Sequence, residues 1–238
     1  MTHPNRLLVT GGASGIGRAI AEEGLSLGWD VVIIDRDKAP VGKAVTADLS
    51  DPDATAAALD AALADGPVTR LVNNVGAVFP HGLEEQTLAE VDAAYALNLR
   101  CAVQCTQAVL PGMKEAGFGR IVNMSSRAAL GKELRTAYAA SKAALIGLTR
   151  VWALELGEYG ITVNAVGPGP IATDLFTRAN PVDSPRTQAI VQSVPVRRLG
   201  TPDDIAHTAG HFLSDRAGFV TGQTLYVCGG MTVGTAPA

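Results

Sequence analysis

The stretch Thr10-Gly11-Gly12-Ala13-Ser14-Gly15-Ile16-Gly17 separates two hydrophobic patterns of different period. Before it, Arg6-Leu7-Leu8-Val9-Thr10 is a short apolar run suited to a buried strand. After it, Ile16, Ile20, Leu25 and Leu27 give residues 15–27 the spacing of a helix. Glycines at such a junction let the backbone turn tightly and approach a ligand. The amino end of the helix that follows offers N–H groups to an anion, of which a pyrophosphate is the expected one. Gly11, Ser14, Gly15, Ile16 and Gly17 are therefore candidate cofactor contacts. The spacing is G-x-x-x-G-x-G, not the general G-x-G-x-x-G. A glycine turn required only by packing is the plain alternative.

The same alternation continues outward. Val31-Val32-Ile33-Ile34 is apolar throughout and ends at Asp35. Further strand-like runs lie at 43–47, 69–73, 120–125, 161–166 and 224–227. Helical stretches rich in Ala and Leu lie between most of them, at 52–64, about 85–115, 137–158 and 202–214. Seven strands alternating with helices predict one α/β domain over 1–238, a doubly wound parallel sheet with helices on both faces. Only about eight residues, including Pro40 and Gly42, separate Asp35 from the next strand. A parallel crossover with a helix needs a dozen or more. The second crossover helix is expected to be missing. The segment 178–198, with Pro181, Pro185 and Pro195, reads as a mobile lid.

Composition narrows the function classes. Of 238 residues, 47% are hydrophobic and 18% charged, which excludes intrinsic disorder. The net charge is −4 with no basic run, so no nucleic-acid partner is expected. Three cysteines make no disulfide framework and suggest a reducing compartment. The amino terminus has no signal-peptide pattern and no run approaches a membrane span, so a soluble cytoplasmic protein is expected. Cys101 and Cys105, one helical turn apart, have no nearby His, and no metal site is expected.

Asp35 lies 18 residues after Gly17, where an acid can accept hydrogen bonds from both hydroxyls of an adenosine ribose. Arg36 beside it could instead swing to a 2′-phosphate. Asp48 and Leu49 follow the third strand. Asp48 could receive an adenine amino group, or could cap the helix at 52–64. Tyr138 and Lys142 are four apart at the start of a helix and share one face. A nearby ammonium favours the phenolate and should lower the pKa of Tyr138, which makes it a candidate general acid or base.

Thr10-Gly-x3-Gly-Ile-Gly17, Asn73-Asn74-Val75-Gly76, the Ser125-Ser126 pair, Tyr138-x3-Lys142 and Pro168-Gly169 occur in that order. With these motifs in register the chain resembles the short-chain dehydrogenase/reductase family over essentially its whole length. The resemblance implies a Rossmann-like fold. It also implies an oxidoreductase that interconverts a secondary alcohol and a ketone with a nicotinamide cofactor, using the pro-S hydride of NADH. Tyr138 would be the general acid/base. Lys142 would tune the phenol and hold the nicotinamide ribose. A serine would bind the reacting oxygen. Asn98 would hold a water leading from Lys142 to solvent. Asn74 and Gly76 resemble the loop against the adenosine ribose, and Pro168, Gly169, Ile171 and Thr173 resemble the segment that fixes the carboxamide.

Family spacing places the serine 13 residues before the tyrosine, which selects Ser125. Strand register selects Ser126, and a one-residue strand shift reverses a side chain. Ser126 is therefore the expected residue. Asp35 predicts NAD(H) over NADP(H), and a homotetramer is expected. Alternatives are a catalytically silent nucleotide-binding regulator, an NADP-dependent carbonyl or 3-oxoacyl reductase, and an epimerase or dehydratase that recycles its hydride. Val75 replaces the commoner alanine and Cys228 a common aspartate. Arg127, Lys132 and Arg135 read as solvated loop charges or as contacts to an anionic substrate group.

Overall fold

The computed structural model of the protein describes residues 5–181 and 183–234. Seven strands form one parallel sheet: β1 (Arg6–Thr10), β2 (Asp30–Asp35), β3 (Lys43–Thr46), β4 (Arg70–Asn73), β5 (Gly119–Met124), β6 (Ile161–Pro168) and β7 (Thr224–Val227). Their order is β3-β2-β1-β4-β5-β6-β7, so the chain reverses direction between β1 and β4. In open α/β sheets the crevice beyond the strand ends at such a switch point is where ligands bind. The glycine loop leaves β1 and Asn74-Val75-Gly76 leaves β4 at that point.

The all-apolar strands are buried because both faces are covered. Leu7, Val9, Val31 and Ile33 point into a core shared with α1 (Gly15–Ser26) and α8 (Pro202–Leu213). Leu8, Val32 and Ile34 alternate to the opposite face, against α2 (Pro52–Leu63), α4 (Cys101–Ala116) and α5 (Thr136–Leu156). No helix joins β2 to β3. Ala39 and Val41 of that loop pack against the α1/α8 core in its place. Gly42 takes φ +67 there, and a Cβ would stand 2.7 Å from the Val31 carbonyl oxygen.

One expectation changes. The helix expected at 85–115 is three pieces: α3 (Leu88–Tyr95), a π-turn (Ala96–Arg100) and α4. Thr87 and Glu90 form a reciprocal capping box that starts α3 three residues later than its periodicity suggested. Residues 178–198, read as a mobile lid, include helical stretches. α6 (Asp174–Ala179) ends within it, and α7 (Pro185–Ser193) lies inside it with Ser184 as N-cap. No helix among the described residues is long and apolar enough to cross a membrane.

Candidate active site

The glycine loop is shaped by contacts that exclude larger residues. Gly11 has φ +69. A Cβ on Gly17 would lie 2.1 Å from the Gly11 carbonyl oxygen and 2.5 Å from Asn74 Nδ2. Asn74 braces the loop by donating from Nδ2 to the Thr10 and Gly11 carbonyls at 3.0 and 2.9 Å. Ser14 is the N-cap of α1 and makes no side-chain capping bond. This cradle, the opened start of α1 and the exposed Ser14 fit a pyrophosphate.

Asp35 closes the adenosine side. Its carboxylate accepts from the Ala13 N–H at 2.9 Å and the Asp37 N–H at 3.0 Å. The acid is therefore tied to the glycine loop itself. Arg36 turns to solvent, 3.7 Å from the Asp37 carboxylate. Asp48 accepts from the Ser50 N–H and hydroxyl, and these bonds hold its pKa below the usual carboxylate value. It is not the cap of α2: Asp51 performs that task. The side chain of Leu49 belongs to the core beneath the sheet, so only its main chain is available to a nucleotide.

The reaction centre is built on β5 and α5. Ser125 is buried, and its hydroxyl donates to the Lys142 carbonyl at 2.8 Å. Ser126, one residue on, accepts from the Ala128 N–H. Its hydrogen bond to Tyr138 favours the ionised phenol. Burial nevertheless pushes the Tyr138 pKa up, with Ser126 and the Arg135 guanidinium acting against the rise. This corrects the expectation that Lys142 would set a lowered value. The Lys142 ammonium is 5.8 Å from the phenol ring centroid and donates to the Met124 carbonyl at 2.7 Å. Burial brings Lys142 itself down to about 8.

Asn98 sits in the middle of the π-turn, a feature that often marks functional positions in helices. Its side chain accepts from the Ala77 N–H at 2.8 Å and donates to the Ala77 carbonyl and the Ser141 hydroxyl. A Cβ on Gly76 would stand 3.0 Å from Asn98 Oδ1 and 3.2 Å from Lys142 Nζ. Gly76, Asn98 and Lys142 thus meet at one point.

After β6, Pro168-Gly169 runs beside β7: the Gly169 N–H donates to Val227, and a Cβ on Gly169 would meet Cys228. Ile171 is buried and bridges to Gly200. Thr173 caps α6 and lies against Gly15, whose Cβ would be 3.3 Å from Thr173 Cγ2. The tertiary structure therefore brings the glycine loop, Asp35, Asn74-Gly76, Ser126-Tyr138-Lys142 and Thr173 to one end of the sheet.

Sequence reasoning had no signal for two features. One is the π-turn under Asn98. The other is Leu134, a non-glycine residue at φ +57 in the loop before Tyr138. Such a backbone costs about 1–3 kcal/mol and gathers at functional sites. Cys101 and Cys105 form a buried pair with sulfurs 3.8 Å apart. The bond from Cys101 and burial push the Cys105 thiol up. No group of three His, Cys, Asp or Glu among the described residues is placed to hold a metal.

Comparison with known proteins agrees with this arrangement. A family model described as enoyl-(acyl carrier protein) reductase matches residues 11–232. The chain is 39% identical over 240 residues to the (2S)-[(R)-hydroxy(phenyl)methyl]succinyl-CoA dehydrogenase subunit BbsD of Thauera aromatica, covering 95% of this chain and 96% of that one. Among solved structures, ligand-free Thermoplasma acidophilum aldohexose dehydrogenase superposes with a TM-score of 0.92 at 29% identity, covering 99% and 97% of the two chains. A blue fluorescent protein from a metagenomic library, in complex with NADPH, gives 0.87 at 33% identity, covering 97% and 98%. The chain belongs to the short-chain dehydrogenase/reductase family of nicotinamide-dependent oxidoreductases, which interconvert alcohols and carbonyls.

Proposed function

We propose that the protein is a secondary-alcohol dehydrogenase or ketone reductase that prefers NAD(H), with Ser126, Tyr138, Lys142 and Asn98 as its catalytic set. The observation that carries the catalytic reading is the convergence of Ser126 on Tyr138, with Lys142 behind it. A bound nicotinamide would supply the hydride acceptor or donor. The Ser126 hydroxyl would hydrogen-bond the reacting oxygen and hold it against the phenol. In the reductive direction Tyr138 Oη gives its proton to that oxygen; in the oxidative direction it takes one. With a pKa of about 8, Lys142 is mostly an ammonium at neutral pH. That charge favours the phenolate as the proton leaves. Asn98, bonded to Ala77 and beside Gly76, would keep Lys142 in contact with a route for the proton.

The cofactor preference is supported by Asp35. Its two oxygens each accept one N–H and keep further lone pairs for ribose hydroxyls. A 2′-phosphate would bring like charge against it, while Arg36 points away to solvent. The NADPH-bound structural relative makes this a point to be measured for each chain. A homotetramer in the cytoplasm is the assembly we propose. Leu154, 87% exposed, and Val151, 48% exposed, leave one side of α5 apolar and open, and among the described residues β7 is the edge of the sheet.

The test is a spectrophotometric screen of alcohols and ketones with both cofactors. Tyr138→Phe is expected to lose at least about 100-fold in turnover with cofactor binding retained. Asp35→Ala is expected to erase an NAD(H) preference of about 5- to 150-fold. Tyr138→Phe activity within a few-fold of wild type removes Tyr138 from the mechanism. Equal efficiencies in the wild type remove Asp35 from cofactor choice.

A further inference from the structure

A cavity of about 200 Å³ lies against the turn that follows β6. None of Ser126, Tyr138, Lys142 and Asn98 lines it. Pro170, Ile171, Val194, Val196 and Val227 form its apolar walls, and Cys228 adds a buried thiol. These residues come from three parts of the chain: the turn after β6, the linker between α7 and α8, and the end of β7. A free thiol in such a wall packs as a small apolar group. The walls themselves are closely made. A Cβ on Gly229 would stand 2.5 Å from Val194 Cγ1, and one on Gly200 would stand 2.5 Å from Ile171 Cδ1. The space is therefore bounded by tight contacts and is not loose packing. A cavity of about 150 Å³ lined by apolar side chains is large enough to bind benzene.

Polar groups around the cavity are engaged with one another. The Gly200 N–H donates to the Pro170 carbonyl at 3.0 Å, and the Ala172 N–H donates to the Gly200 carbonyl at 2.8 Å. The Val194 N–H donates to the Val191 carbonyl and the Val196 N–H to the Gly229 carbonyl. Cys228 Sγ is 3.4 Å from Thr232 Oγ1. An ordered water needs about two to four polar partners, and few are left here. At the rim, Arg198 and Asp204 close on each other through two hydrogen bonds, at 2.6 and 2.9 Å. Their charges cancel, so the rim does not select an ion. Arg197, between the lining residues Val196 and Arg198, has φ +56. Such a backbone in a non-glycine residue is costly and gathers at ligand clamps and active sites.

We propose that this cavity binds a small neutral apolar group of about six heavy atoms, such as an aromatic ring or a branched alkyl chain. A free ligand and the apolar end of a larger substrate present the same chemistry to these walls. The first is independent of the proposed redox reading, and the second rests on it.

The experiment is calorimetric titration of the full chain, saturated with oxidised cofactor, with benzene and with benzoate. Benzene is expected to bind at least about 10-fold more tightly, because benzoate would bring an unpaired charge into the cavity. Val196→Phe fills the mouth with a ring of its own and should weaken benzene at least about 10-fold. Cys228→Asp puts a carboxylate of similar size in the wall and should do the same. If Cys228→Asp fails to fold, Val196→Phe carries the test, since position 196 is 59% exposed. No benzene binding by the wild type overturns the proposal, as does tighter binding of benzoate or wild-type affinity in Val196→Phe. The source is read from 4-phenyl-2-butanone and 2-butanone as substrates. If benzene competes with the phenyl ketone, and Val196→Phe removes that ketone's advantage in kcat/KM, the occupant is the substrate's own apolar end. Benzene binding that leaves the KM of both ketones unchanged identifies a free ligand. Benzene binding without turnover of any ketone removes the redox reading and leaves the cavity site standing. Turnover of ketones without benzene binding does the reverse.

Discussion

Replacing each of the two adjacent serines by alanine should separate stability from catalysis. Ser125 Oγ is buried and donates to the Lys142 carbonyl at 2.8 Å, so it ties β5 to α5 and takes no part in the open site. Ser125→Ala removes one buried neutral hydrogen bond, a loss of about 1 kcal/mol. For a domain of this size that lowers Tm by about 2–4 °C. Because the lost bond is on the lysine's main chain, turnover should fall by no more than a few-fold. Ser126 makes a bond to the Ala128 N–H and another to Tyr138. If its hydroxyl meets the reacting oxygen, Ser126→Ala should cost about 100- to 1,000-fold in kcat, by analogy with the loss of one oxyanion donor. The Tm change should be small. The assay is steady-state kinetics on the best ketone found, beside thermal unfolding of each variant. A larger loss of kcat in Ser125→Ala than in Ser126→Ala would refute the assignment.

Three further outcomes follow from the geometry. Gly17→Ala places a Cβ 2.1 Å from the Gly11 carbonyl oxygen, and the displaced loop should weaken cofactor binding by about 5- to 150-fold, read by fluorescence titration; unchanged affinity would show that the loop does not grip the cofactor. Lys142 is held near pKa 8 when folded, against about 10.4 unfolded, so the unfolded chain holds more protons between these values and stability must rise with pH across that window. The wild-type Tm measured against Lys142→Met should therefore gain steadily from pH 8 to 10.5, and a flat difference would contradict it. Asp204 is held well below the usual carboxylate range by Arg198 and by Thr201. Its contribution is present above about pH 4 and is lost as pH falls below it. Asp204→Ala should cost about 1 kcal/mol at pH 7 by denaturant titration, and progressively less as the pH falls further below about 4.

Much of the site was legible before the fold was known, because its parts are local. The glycine spacing, the acid ending β2, and Tyr138 with Lys142 one helical turn on are all short-range patterns. Strand register also pointed to Ser126 over Ser125. β5 ends at Met124, and side chains alternate from one residue to the next, so adjacent serines must face different surroundings. The missing helix after Asp35 was a matter of chain length alone.

What the sequence could not determine depends on long-range partners. Asp48 and Asp51 are both acids near the start of α2, and only the course of the backbone made Asp51 the cap. The π-turn at Asn98 has no periodic signature; its side-chain bonds to Ala77, 21 residues away, and Ser141, 43 residues away, are contacts of the assembled fold. The Tyr138 pKa reversed its expected direction because burial is a property of everything packed around the phenol, whereas the spacing to Lys142 fixes only that the two share a helix face. Local spacing determines which groups one element presents together; the free energy of each group is set by neighbours from distant parts of the chain.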